Sequence, residues 1–109
     1  MQLYVYASSS EIYGWDGTAY TVNPVFISGN TLEFVVTVEG YDYGGSTIGI
    51  SSSGGNNRNY LAKKSDVSSG THTIDVSNFV GQSVYICVSA DAGSIGGAIQ
   101  VKIVSIKNY

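Results

Sequence analysis

Residues 31–39 read Thr-Leu-Glu-Phe-Val-Val-Thr-Val-Glu, with Leu32, Phe34, Val36 and Val38 at every second position and mostly polar residues between them. Side chains alternate across a strand, so this spacing predicts a β-strand with one dry face. A dry row of four side chains needs another apolar surface to cover it. Two further segments, 84–90 and 98–107, offer matching rows. The chain is therefore expected to pack sheet against sheet, as a sandwich.

The rest of the chain is short strand candidates separated by turn signals. Alternation predicts strands over 2–7, 19–22, 25–28, 47–51, 60–63, 71–76 and 83–90, in addition to 31–39 and 98–107. Fourteen glycines against a single proline, with Ser, Thr, Asn and Val dominating the remainder, suit strands joined by tight turns. Pro24 removes a ladder donor between two of these segments, which argues for an edge strand or a bend there. In the last strand the apolar row shifts phase, from Ile99, Val101 and Ile103 to Val104 and Ile106. One extra residue near Ile103 and Val104, a β-bulge, would produce that shift. About eight strands in one domain spanning 1–109, with no helix and no internal repeat, are expected, as a sandwich or barrel.

Composition argues against several function classes. Eight acidic and five basic residues give a net charge of −3, and the cations Arg58, Lys63, Lys64, Lys102 and Lys107 are too few and too dispersed to neutralise phosphates. Nucleic acid is not an expected partner. No apolar run reaches bilayer length, so membrane insertion is not expected either. The first residues read as a strand rather than as a secretory leader. The lone Cys87 has no internal disulfide partner and is expected to be an ordinary strand residue. His72 has no second histidine or cysteine beside it and is expected on a solvent-facing strand position. The carboxylates are scattered, and no glycosidase-type pair can be placed. A non-enzymatic role is expected.

The segments 70–77, 81–88 and 99–106, Gly-Thr-His-Thr-Ile-Asp-Val-Ser, Gly-Gln-Ser-Val-Tyr-Ile-Cys-Val and Ile-Gln-Val-Lys-Ile-Val-Ser-Ile, resemble the galactose-binding-like jelly rolls. Many carbohydrate-binding modules share that fold, including modules of bacteriophage tail and baseplate proteins and of bacterial surface enzymes. The likeness covers about the last forty residues well and the first seventy by strand order only, and its motifs speak to architecture more than to ligand. It implies an antiparallel jelly-roll β-sandwich in which the first and last strands pair, a carbohydrate partner, and a location outside the cell or on a virion. Many members hold a structural calcium ion. Here no clean acidic cluster is present and only Glu11 and Asp16 lie near the expected place, so no cofactor is expected, with a structural calcium ion at these two as the lesser alternative.

Nine tyrosines, three phenylalanines and one tryptophan exceed what a small core needs. The phenol hydroxyl prefers water or a partner, so many rings belong at half-exposed sites. Sugar rings present C–H faces that stack on aromatic faces, while their hydroxyls pair with carboxylates, amides and guanidinium groups. The loops carrying Tyr13, Trp15 and Asp16, and Tyr41, Asp42 and Tyr43, combine both kinds of group, with Asn57, Arg58 and Tyr60 as a third wall. These nine residues are the candidate glycan contacts. Against this stands a structural role in which Trp15 plugs one end of the sandwich and Tyr4, Tyr6 and Tyr85 pack across strands. The corresponding alternative function is a structural or assembly module that binds a neighbouring subunit or protein. An accessory domain of a polysaccharide hydrolase is a third.

Overall fold

The computed structural model describes residues 3–8, 16–21, 23–41, 44–53, 60–93 and 96–109. Nine strands are present among them: β1 (Leu3–Ser8), β2 (Asp16–Tyr20), β3 (Val25–Phe26), β4 (Thr31–Tyr41), β5 (Gly45–Ser51), β6 (Tyr60–Ser65), β7 (Gly70–Asp75), β8 (Ser83–Asp91) and β9 (Ala98–Asn108). They form two antiparallel sheets, one ordered β1-β9-β4-β7 and the other β2-β8-β5-β6 with β3 also on β8. The fold is an all-β sandwich. Among the described residues no helix is long and apolar enough to cross a membrane.

The alternation in β4 does what its spacing requires. Leu32, Phe34 and Val36 are buried, and they join Ile99, Val101 and Ile103 of β9 and Ile74 of β7 on the inner face of the first sheet. The second sheet answers with Ile48 and Ile50 of β5 and Val84, Ile86, Val88 and Ala90 of β8. Each fully buried side chain of this kind contributes roughly 1.5–3 kcal/mol relative to exposure. Ile27, Val67, Val76 and Ala92, from segments between strands, fill the margins of the core. Val67 sits in a segment the sequence marks only as a turn. Its N–H donates to the Ser46 carbonyl (3.2 Å), and the Ser46 hydroxyl donates to the Val67 carbonyl (2.6 Å).

Pro24 lies where an edge is interrupted. Both β2 and β3 pair with β8, and the Thr21 N–H donates to the Ile86 carbonyl (3.0 Å) to carry the edge between them. The ladder donor that proline lacks is not needed at such a break.

The bulge in the last strand is present. Val35 pairs with Ser105 and Val36 with Ile103, so Val104 is the extra residue on β9. The phase change returns Ile106 to the core, opposite Phe34. Val104, expected in the inward row with Ile106, instead stands 36 % exposed because the extra residue of a bulge leaves the ladder. The first and last strands pair, from Leu3 opposite Ile103 to Ser8 opposite Ala98.

The far end of β9 is fastened by one side chain. The Asn108 Oδ1 accepts the N–H groups of Ser28 (2.8 Å) and Gly29 (3.0 Å) and the Ser28 hydroxyl (3.2 Å). Its Nδ2 donates to the carbonyls of Gly29 (2.9 Å) and Thr31 (3.0 Å). The turn into β4 is thereby tied to the end of the strand beside it. Replacing Asn108 by alanine strands several of these groups at once and is expected to cost about 2–3 kcal/mol, with Asn108→Asp, which keeps the acceptor and loses both donors, in between. Urea unfolding of the two variants measures this.

Candidate functional site

The connections between strands sort the sequence-predicted residues by end. Residues Ser8, Ala98 and Tyr41 share one cross-strand row of the first sheet, and Asp16, Asp91 and Gly45 share one row of the second. Only three residues join Tyr41 to Gly45, so both rows lie at the same end of the sandwich. The segments that carry Tyr13, Trp15 and Asp16 and Tyr41, Asp42 and Tyr43 therefore adjoin strand ends that the fold brings together. The β5–β6 connection is different. It leaves from Ser51 and returns at Tyr60, six residues along β5 from Gly45, or roughly 20 Å away at strand rise. The strand ends that flank Asn57 and Arg58 are thus apart from those at the first end. Tyr13, Trp15, Asp42, Tyr43, Asn57 and Arg58 themselves lie outside the described residues, and Asp16 is placed as the first residue of β2.

At the shared end, an open groove of about 260 Å³ is lined by Glu39, Gly40, Ala98, Ile99 and Gln100. Its origin is local. Glu39 pairs with Gln100, Gly40 with Ile99 and Tyr41 with Ala98 across β4 and β9. Ile99 is turned wholly into the core, while Gly40 and Ala98 carry almost no side-chain bulk, so a depression is left between Glu39, Gln100 and the Tyr41 row. Tyr41, at 63 % exposure, is directly opposite the alanine that lines the groove. Glu39 and Gln100 are exposed polar groups on adjacent strands. Together they offer a carboxylate acceptor, an amide that both donates and accepts, and a neighbouring aromatic ring.

Of the nine sequence-predicted contacts, Tyr41 is thus placed opposite Ala98, one of the residues lining an open depression. Tyr60 is placed elsewhere, on the side of the second sheet away from the core. A Cβ at Gly49 would come within 2.6 Å of its ring atom Cδ1, and its hydroxyl is hydrogen-bonded to the Ser89 hydroxyl (2.8 Å). The phenol lies over a glycine too close to the β6 backbone for any side chain. Cys87 and Ser51 are buried on the same side of this sheet, with Tyr20 and Tyr85 as their respective cross-strand neighbours. On this face the buried small residues therefore have tyrosines as their cross-strand neighbours.

The groups best suited to catalysis are occupied or shielded. His72, expected to face solvent, is half-buried and pairs with the core residue Phe34 on an inward row. Its Nε2–H donates to the Ser68 carbonyl (2.6 Å). Burial pushes the Cys87 thiol up to about 11. Asp75 uses its carboxylate on the turn that follows β7, accepting the Ser77 N–H (2.9 Å), which holds its carboxyl below the usual range. Among the described residues no group of three or more His, Cys, Asp and Glu side chains is placed to hold a metal ion.

The residues that sequence reasoning missed are Glu39, Gly40, Ala98 and Gln100. Glu39 and Gly40 close the organising strand and the other two open the last one, but nothing in the sequence says that the two pairs meet. Comparison of the chain with protein-family models, with curated proteins and with solved structures finds no match.

Two expectations follow from this geometry. Gly40 has φ +150°, and a Cβ there would strike the Ala98 carbonyl oxygen, so Gly40→Ala is expected to destabilise the fold by about 1–3 kcal/mol in urea unfolding. Cys87 is expected to react with a disulfide reagent near neutral pH about a hundredfold more slowly than an exposed thiol on ionisation grounds alone, and rapidly once the chain is unfolded in denaturant.

Proposed function

We propose that this chain is a non-catalytic glycan-binding module with the strand arrangement of a jelly roll, and that the groove between β4 and β9 holds the sugar. The strand order supports the architecture. With β2 and β3 counted as one interrupted edge strand, nine strands become eight, and the two sheets run 1-8-3-6 and 2-7-4-5, the four-over-four order that two Greek keys generate. The resemblance of the C-terminal segments to the galactose-binding-like family points the same way.

The observation that carries the function is the groove itself. A depression of about 260 Å³ is large enough for one pyranose ring, and it combines a carboxylate, an amide and the exposed Tyr41. A vicinal pair of sugar hydroxyls matches Glu39 and Gln100, and the C–H face of the ring matches the phenol. Such a site buries little apolar surface, so affinity for a single sugar is modest. A binding role of this kind operates where glycans are displayed, outside the cell or on a virion.

A second reading, an assembly module that binds protein, is favoured by Phe26 and Val80, two exposed apolar side chains. They flank the hydrogen bond from the Gly81 N–H to the Ile27 carbonyl (2.8 Å). Their position is the opposite end of the sandwich from the groove, so the two readings are separable by mutation.

A glycan array screen followed by titration of the best ligand tests the proposal. Wild type is expected to bind, and Tyr41→Ala to weaken binding about tenfold, the loss of one stacked ring. Tyr109→Ala, which removes an exposed ring at the other end, is expected to leave it unchanged. Failure of every glycan, or equal effects of the two variants, defeats the reading. Self-association lost on Phe26→Ser would select the assembly module instead.

A further inference from the structure

Among the described residues that line the groove, Glu39 is the one ionisable group, beside the neutral Gln100, Gly40, Ala98 and Ile99. Its carboxylate is exposed and sits opposite the Gln100 amide. The next cation along β9, Lys102, pairs with Thr37 two rows further on and is not among the residues that line the groove. A ligand carboxylate or sulfate placed here meets a like charge, whereas a hydroxyl donates to Glu39 and an ammonium donates with charge assistance. The net charge of −3 acts in the same direction at longer range.

Building on the glycan reading, we propose that the groove selects by charge: it takes saccharides bearing a free amine, hexosamine units without their acetyl group, ahead of the acetylated units, and takes uronic acids last. The ammonium donates to the Glu39 carboxylate. The Gln100 amide bonds a neighbouring ring hydroxyl, and Tyr41 covers the ring face. Acetylation removes the positive charge and adds bulk at the same atom, leaving only the neutral contacts. The preference is limited, because an exposed ion pair is worth at most about 1 kcal/mol, which corresponds to a factor of about five.

Titration of the wild-type protein with three tetrasaccharides tests this: glucosamine, N-acetylglucosamine and galacturonic acid, at low salt and about pH 5.5, where the sugar amine is charged. The expected result is a three- to fivefold preference for the glucosamine oligomer over its acetylated form, and weaker binding of the uronate than of either. In Glu39→Gln the ratio is expected to fall to about one. In Lys102→Gln the order is expected to persist. Equal affinity of the three oligomers, or a ratio that survives in Glu39→Gln, overturns the charge selection. If the acetylated oligomer binds in a Tyr41-dependent way without that ratio, the glycan reading stands and only the selection falls. If no saccharide binds the folded protein, both fall.

Discussion

The pairing of β4 with β9 is the contact on which the remainder of this molecule rests. It runs along nearly the whole length of both strands, and each side of it is used. Inward, it sets Phe34, Val36, Val101 and Ile103 in one apolar layer against the second sheet. At one end it leaves a depression where glycine and alanine face each other diagonally across the ladder. At the other it brings the Asn108 amide into reach of the turn that begins β4. Core, groove and fastening are three consequences of one register.

Much of the architecture was legible because it depends on local periodicity. The alternation of Leu32, Phe34 and Val36 required a dry face, Pro24 required an interrupted edge, and the phase break after Ile103 required an extra residue. Each is a statement about a few neighbouring residues. The candidate site was much less legible because it depends on register. Tyr41 was visible as an aromatic in a polar turn, but its relation to Ala98 and Gln100 spans more than fifty residues of sequence and is set by hydrogen-bond pairing. His72 shows the same limit. Its polar neighbours Thr71 and Thr73 suggested water, whereas its row is fixed by Phe34 across the ladder.

The second sheet makes a different use of aromatic residues. Tyr60 lies over Gly49 and is joined to Ser89, on the side of the sheet away from the core. There Cys87 and Ser51 are shielded although they do not face the sandwich interior. A tyrosine suits this task because its ring excludes water from small residues while its hydroxyl finds a partner on the sheet. The abundance of tyrosine thus has at least two causes in this chain, cross-strand neighbours for small residues on one sheet and an exposed ring opposite a groove-lining alanine on the other. Counting rings in the sequence does not separate them.

The extra residue at Val104 divides β9 into two stretches with opposite phase. The stretch before it serves the groove and the stretch after it carries Ile106 and Asn108. The extra residue bends the strand and raises its local twist. Odd-numbered positions face the core before it and even-numbered ones after it, so the same one-residue step that hides Ile103 also turns Ile106 and Asn108 toward the partners that hold the chain's last turn.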